Sequence, residues 1–302
     1  MAKTLTVAQF LARFPDDESC LAHLFATRFG AEPACPKCGE VGKFRKLAKV
    51  PAWTCNCGHH IHPMQGTPFE RTHTPLQKWF YAMYLFTTSR HGVPAKELQR
   101  QLGVTYKTAW RMGHEIRKYM GAVDGDGPLG GHVEIDETYV GGKARGTRGG
   151  GAARRRKTAV VGMVQRGGDV VTEIVQHVDH ATMIPLIGGF IPRGTTVTTD
   201  DSRVYDLLAH NGYDHGSVNH SADEYVRGER HTNTIEGFWA ILKRSIRGTH
   251  VHVSRQHLDK YLLEFEFRFN LRKAPELMFP RLLAGFSGRA TRSVAVLPFR
   301  AS

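Results

Sequence analysis

Three acidic side chains in the second half of the chain have the types and positions of a metal site. Asp136 lies in a strand-like run and Asp200 ends another. Glu236 lies in a helix-like run that carries Asn233 and Lys243 on the same face. Clustered carboxylates can hold two Mg²⁺ or Mn²⁺ ions about 3.5–4 Å apart. The three acids therefore predict a two-metal site for phosphoryl transfer.

This chemistry needs no serine, cysteine or tyrosine nucleophile. Metal ions on the three acids would neutralise the phosphodiester, activate water or a 3′-hydroxyl, and stabilise the leaving oxyanion. Lys243 would contact a phosphate near the cut. Taken singly, each acid could also be structural. Asp201 competes with Asp200, which we prefer because it ends an apolar strand, whereas Asp201 could cap the next helix.

Four of the five cysteines form two close pairs separated by 16 residues, namely Cys35, Cys38, Cys55 and Cys57. Two such pairs on tight turns can surround one structural Zn²⁺ tetrahedrally. The second pair has the spacing Cys-x-Cys, so a following histidine could replace one thiolate; the candidates are His59, His60 and His62. Clustered cysteines of this kind indicate a metal site in a reducing compartment. Four ordinary reduced cysteines remain the alternative.

The order of elements that must position the acids predicts a multidomain chain. The expected regions are N-terminal helices and a zinc ribbon over 1–70, a helix-turn-helix-like helical domain over 71–124, an α/β catalytic domain over 125–275, and a basic tail over 276–302. The catalytic region has the element order of a ribonuclease-H-like domain with a mixed five-stranded sheet.

Hydrophobic periodicity places the elements of this α/β region. Strands are predicted over 132–140, 157–165, 170–178, 195–200 and 215–220. Helices are predicted over 180–190, 202–211, 231–246 and 255–271. The glycine-rich stretch 121–131 is predicted as a linker before the first strand.

The run 94–114 has the pattern of a helix-turn-helix, with Gly103 at the turn. Its second helix would present Tyr106, Lys107 and Arg111 to a DNA groove. The alternative is a pair of packed helices with solvated basic residues.

The chain of 302 residues has a net charge of +13 and a pI near 9.7, which favours a polyanionic partner such as DNA. A tract between the first two strands of the catalytic region is basic and glycine-rich, and it contains no acid. Its predicted backbone contacts are Lys143, Arg145, Arg148, Arg154, Arg155, Arg156 and Lys157. We expect it to extend a hairpin and clamp DNA; a plain solvated loop is the alternative.

No apolar run approaches the roughly 20 residues of a membrane span, and no secretory signal is visible after Met1. The expected location is the cytoplasm, in association with the nucleoid.

These residues resemble bacterial insertion-sequence transposases that join a zinc ribbon to a DDE domain similar to retroviral integrases. The matching stretches are Cys35–Cys38, Gly66–Phe69, Ile135–Lys143, Val218–Ser221, His231–Trp239 with Lys243 and Arg244, and Gly248–Ser254. The resemblance implies that Asp136 and Asp200 are the first two catalytic aspartates. Glu236 is our choice for the third position, with Asn233 as the alternative.

The resemblance also implies cleavage at the ends of a mobile element and attack of the freed 3′-hydroxyl on target DNA. It implies a homo-oligomer, because two ends must be paired. Two other functions stay open. One is a ribonuclease-H-like nuclease that cuts without joining, and the other is a non-catalytic regulator built from the zinc ribbon and helix-turn-helix.

Overall fold

A computed structural model describes residues 4–124, 127–141, 157–218 and 231–288 of the chain. Contacts divide these residues into two compact units. The first comprises the described parts of Met1–Val123 and Ala274–Thr291, and the second those of Asp124–Lys273 and Arg292–Ser302. No helix in the described ranges combines the length and apolar character of a membrane span.

The first unit consists of helices and one small sheet. Its helices are α1 (Val7–Arg13), α2 (Asp17–Phe29), α3 (Leu76–Thr88), α4 (Ala95–Leu102), α5 (Tyr106–Val123) and, near the end of the chain, α9 (Met278–Gly285). The sheet consists of β1 (Phe44–Lys46), β2 (Trp53–Cys55) and β3 (His60–Ile61), paired antiparallel. Aromatic rings dominate the core, and Phe10, Phe14 and Phe80 are fully buried or nearly so. Phe279 of α9 packs against Phe10 and Phe14.

The second unit is built on a mixed five-stranded sheet. Its strands are β4 (His132–Val140), β5 (Thr158–Gln165), β6 (Val170–Val175), β7 (Thr196–Asp200) and β8 (Asp214–Val218). Their order across the sheet is β6-β5-β4-β7-β8, with β6, β5 and β4 antiparallel and β7 and β8 parallel to β4. This arrangement confirms the predicted ribonuclease-H-like sheet.

Helices cover both faces of this sheet. They are α6 (His180–Phe190), α7 (Asn233–Ser245) and α8 (Leu258–Asn270). Alternation along β4 and β5 decides which face each residue serves. Val133 and Ile135 pack in the core that includes Met183 of α6. Val160 belongs to the opposite core, with Trp239 of α7 and residues of α8.

Helix α8 also covers the edge strand β6 with polar side chains. Glu266 accepts from the Thr172 amide at 2.9 Å, and Asn270 bonds both the amide and the carbonyl of Val170 at 2.8 and 3.1 Å. Polar side chains of α8 thus take the place of a sixth strand. An uncovered edge would be a template for pairing with another chain.

The structure corrects two predicted features. The helix expected over 202–211 is instead two short 3₁₀ turns, Arg203–Tyr205 and Ala209–Asn211. Tyr205 ends the first turn and Leu208 precedes the second, and both side chains are fully buried in the core that also contains Met183. The segment expected as a basic tail from residue 276 contains α9, whose apolar face packs in the first unit. A boundary near residue 70 stays a prediction.

Gly162 on β5 allows α7 to lie close against the sheet. It pairs across strands with Asp136. A Cβ atom at this position would lie 2.5 Å from the ring of Trp239 and 2.8 Å from the end of Ile235. Both neighbours are buried residues of α7, so neither can move cheaply.

We therefore expect Gly162→Ala to destabilise the second unit by about 1–3 kcal/mol through overpacking. Urea unfolding measures the effect. Gly189→Ala is the matched control, because its Cβ would meet nothing within 4 Å in α6, and alanine in a helix is favoured by about 0.5–1 kcal/mol. Equal stability of the two variants would contradict the close approach.

Candidate active site and zinc site

The acidic site lies where β4 and β7 separate. The two strands pair in parallel from His132↔Thr196 to Glu134↔Thr198, and no pairing follows. Two residues further along each strand are Asp136 and Asp200, which would be neighbours if the register continued. Both side chains are partly buried. The loss of pairing opens a gap between the two strands, and the two aspartates converge on it.

Glu137 also lies at this site, although the sequence did not lead us to predict it. One carboxylate oxygen from each of Asp136, Glu137 and Asp200 lies within 4.8 Å of the others. Strand alternation sends Asp136 and Glu137 to opposite faces, so they were not expected to meet. The length of its side chain could have identified Glu137, since a glutamate beside an unpaired strand edge can reach around that edge.

Tyr205 holds Glu137 in place. Its hydroxyl donates a 2.7 Å hydrogen bond to Glu137 Oε2. Burial, followed by the charge of Glu137, raises the pKa of Tyr205 well above its usual value. The phenol therefore stays protonated and acts as a donor.

The site is electrostatically unfavourable without cations. Burial raises the pKa of Asp136 to about 7, and the charges of Glu137, Asp200 and Glu236 contribute to the rise. Carboxylates crowded in this way favour either a proton or a metal ion as a partner. The residues therefore fit a divalent cation, because hard cations prefer carboxylate oxygens.

The remaining predicted catalytic residues lie on α7. Glu236 is in its first turn and exposed, and its Oε1 accepts from the Thr232 hydroxyl at 3.0 Å. It contributes to the pKa of Asp136 but is not among the three clustered carboxylates. Asn233 begins the helix and is exposed, and Lys243 is partly buried in its last turn. Asp201, the competitor of Asp200, is exposed and outside the cluster.

The four paired cysteines converge in the first unit. The Sγ atoms of Cys35 and Cys57 are 3.7 Å apart, and those of Cys38 and Cys55 are 3.6 Å apart. Zn–S bonds of about 2.3 Å in a tetrahedron give S–S separations of about 3.8 Å, so the cluster fits one Zn²⁺. Among the described residues, the four cysteines alone can supply all four zinc ligands, and no histidine is needed.

Two similar turns create this geometry. Gly39 donates to the Cys35 carbonyl at 2.8 Å, and Gly58 donates to the Cys55 carbonyl at 2.9 Å. Both glycines have positive φ, 76° and 82°, which a side chain would strain. The glycine after each cysteine pair is therefore part of the metal site.

The predicted DNA-contact residues of the helical segment are exposed. Gly103 has left-handed φ and ψ of 58° and 43° and separates α4 from α5. Tyr106, Lys107 and Arg111 are exposed on α5, while Lys96 lies 5.0 Å from the centre of the Tyr106 ring. This geometry agrees with the predicted helix-turn-helix, and the DNA contacts stay a prediction.

The basic tract falls largely outside the described residues. Those outside are Lys143, Arg145, Arg148, Arg154, Arg155 and Arg156, as is much of the matching stretch at 218–221. Lys157 is described and exposed. It precedes Thr158, which pairs with Val140 in the antiparallel pair of β4 and β5. The expected hairpin extension itself lies outside the described residues.

The strand order and the acid cluster define an α/β protein of the ribonuclease-H-like class. Residues 128–270 match the model of the ISXO2-like transposase domain, and residues 15–60 match that of the transposase zinc-ribbon domain. The chain belongs to this family of insertion-sequence transposases.

Two curated relatives agree with this assignment. An uncharacterized protein in transposable element ISH50 of Halobacterium salinarum is 28% identical over 260 residues, covering 80% of this chain and 86% of that protein. An uncharacterized transposase-like protein of Haemophilus influenzae is 33% identical over 101 residues, covering 33% of this chain and 80% of that protein.

Among solved structures, the Mos1 strand transfer complex matches 69% of this chain and 78% of that chain at 14% identity, with a TM-score of 0.31. A pre-cleavage Mos1 transpososome matches the same shares at 14% identity, with a TM-score of 0.25. These likenesses are too weak to carry a conclusion, and the fold assignment stands on the strand order.

The raised pKa of Asp136 gives a prediction for the metal-free protein. Its folded pKa of about 7 exceeds the unfolded value near 3.8, so the ionised form destabilises the fold. The loss begins as pH rises above about 4 and is complete above about 7. The stability lost in this way is at most about 4 kcal/mol. At pH 8 we expect Asp136→Asn to regain part of it and to raise Tm.

The measurement is thermal unfolding at pH 4 and pH 8 in a buffer without added divalent cations. The gain should be absent at pH 4. Asp201→Asn is the control, because Asp201 is exposed and outside the cluster. A pH-independent Tm change in Asp136→Asn would contradict the charge crowding.

The zinc cluster gives a second prediction. We expect Cys38→Ser to lose stoichiometric zinc and to destabilise the ribbon, because structural zinc supplies folding free energy. Cys20→Ala is the control; Cys20 is buried in α2, outside the cluster, and should leave the zinc content unchanged. Elemental analysis of the purified variants decides, and full zinc in Cys38→Ser would refute the four-cysteine site.

Proposed function

We propose that this transposase cleaves DNA at the ends of its element and joins the freed 3′-hydroxyl to target DNA. The observation that supports this is the cluster of Asp136, Glu137 and Asp200 where β4 and β7 separate, with oxygens within 4.8 Å. Two oxygens on one Mg²⁺ lie at most about 4.2 Å apart, because each bond is about 2.1 Å. Small side-chain movements would therefore suffice for binding.

We propose Mg²⁺ or Mn²⁺, with two ions, as the bound cations. When bound, they would neutralise the phosphodiester charge and increase the acidity of the attacking water or 3′-hydroxyl. The contribution of the chain is to hold the carboxylates in the open gap between the strands. Tyr205 restricts Glu137 by occupying one of its oxygens, as hydrogen-bond donors commonly do for metal ligands.

For the third catalytic position we keep Glu236 over Asn233. The charge of Glu236 contributes to the pKa of Asp136, so the two carboxylates are electrostatic neighbours. Glu137 is a further candidate, since it lies in the cluster that Glu236 does not join. Lys243, on the same helix as Glu236, is proposed to contact a phosphate near the cut.

The partner we propose is DNA, at the element ends and at the target. The charge of +13, the exposed basic side chains on α5 and the tract that contains Lys143–Arg156 support it. We also propose a homo-oligomer, because joining requires two ends in one complex.

We expect Asp136→Asn and Asp200→Asn each to lower cleavage by at least about 100-fold, because each removes a charged metal ligand. Glu137→Gln, Glu236→Gln and Asn233→Ala then rank the candidates for the third position. The substrate is a DNA fragment that carries the sequences flanking this gene, incubated with Mg²⁺ and a target plasmid. Binding to the same DNA should be unchanged in all variants.

Asp201→Asn is the matched control, adjacent to Asp200 but outside the cluster, and should cleave normally. Cleavage without joined products would favour the nuclease. Normal function after loss of both Asp136 and Asp200 would favour the non-catalytic regulator and end the proposal.

A further inference from the structure

The strand that carries Asp136 also carries a second, deeply buried acid. Glu134 is 0% exposed and lies two residues before Asp136 on the same face of β4. It is not part of the acidic cluster. Burying a carboxylate is costly unless it is fully hydrogen-bonded, so its position requires a reason.

The partners of Glu134 are at the start of α7. Its Oε2 accepts from the backbone amides of Thr234 at 2.8 Å and Ile235 at 3.1 Å, and its Oε1 accepts from the Thr234 hydroxyl at 2.9 Å. These amides belong to the first turn, where helical donors have no partner within the helix. Thr232, the residue before the helix, makes no side-chain cap to it. A carboxylate from the sheet therefore caps α7.

An arginine binds Glu134 and holds the adjoining chain. Arg166 Nε donates to Glu134 Oε1 at 2.7 Å, and its Nη2 donates to the His231 carbonyl at 2.8 Å. Its Nη1 lies 3.1 Å from His132 Nδ1, while His132 Nε2 lies 2.7 Å from the Thr198 hydroxyl. The network thus joins α7 to β4 and to β7 at the last paired position before the strands separate.

The position of this network links it to the active site. Glu134 and Asp136 are about 7 Å apart along the strand, at roughly 3.4 Å per residue. The residue that follows Ile235 is Glu236, whose charge reaches Asp136. A fixed contact at Glu134 therefore sets the distance between the acid on α7 and the acid on the sheet.

We propose that Glu134 is a positioning residue that docks the N-terminus of α7 and thereby places Glu236 beside the metal site. This inference rests on the proposed function for its catalytic consequence, but the docking itself does not. Arg166 completes this docking contact because it binds both Glu134 and the His231 carbonyl, which lies just before α7. The negative charge of Glu134 also suits the positive end of a helix dipole.

The test compares Glu134→Gln with Glu264→Gln. Glu264 is an equally buried carboxylate of the same unit; it pairs with Arg268 at 2.8 Å within α8. Both variants lose a buried charge, so both should unfold at lower temperature. Only Glu134→Gln should weaken Mn²⁺ binding, by about 10-fold or more, as is typical of residues that support metal ligands.

Cleavage by Glu134→Gln at saturating DNA should fall about 10- to 100-fold, with DNA affinity unchanged. Glu264→Gln should alter neither value more than about twofold. Arg166→Lys, which keeps the charge but cannot reach three partners, should follow Glu134→Gln. Unchanged Mn²⁺ affinity and rate in Glu134→Gln would overturn the proposal, as would equal losses in Glu264→Gln.

Hydrogen exchange separates this inference from the proposed function. The amides of Thr234 and Ile235 should lose protection in Glu134→Gln and keep it in Glu264→Gln, whether or not the protein cleaves DNA. If wild type shows no metal-dependent cleavage, the proposed function fails while the docking stands. If these amides stay protected in Glu134→Gln, the docking fails.

Discussion

Mutual repulsion among carboxylates is the constraint on which the second unit depends. Asp136, Glu137 and Asp200 are held within 4.8 Å, and burial raises the pKa of Asp136 to about 7. A cluster of repelling carboxylates does not form unless interactions elsewhere stabilise the fold. The apolar cores on both faces of the sheet supply the stability that this arrangement costs, as is usual at functional sites.

Several contacts position the residues around the gap between β4 and β7. Gly162 lets α7 lie against the sheet opposite Asp136. Glu134 ties the first turn of α7 to the strand through backbone amides. Tyr205 holds Glu137 from the opposite face. Each acts through steric fit or hydrogen bonding, and together they restrict the side chains that surround the site.

Much of the fold could be predicted because it follows from hydrophobic periodicity. The run 132–140 and the run 180–190 become β4 and α6 with the predicted bounds. The 3₁₀ turns after Asp200 could not be predicted in this way. Their residues have helical spacing, but Tyr205 and Leu208 pack in a core formed from distant segments, which local periodicity does not report. The helix Met278–Gly285 was missed for the same reason, because its partners, on helices from α1 to α5, lie more than 150 residues earlier in the chain.

The sequence by itself determined the ligand types, the cysteine pairs and the two aspartates on strands, because strand and turn positions are encoded locally. Tertiary structure alone decided which acids meet. Asp136 and Asp200 come together because β4 and β7 are parallel neighbours in register, a long-range pairing. Glu137 joins them because the pairing ends at Glu134 and leaves the strand edge open for a long side chain, whereas Glu236 approaches from α7 and lies outside the cluster.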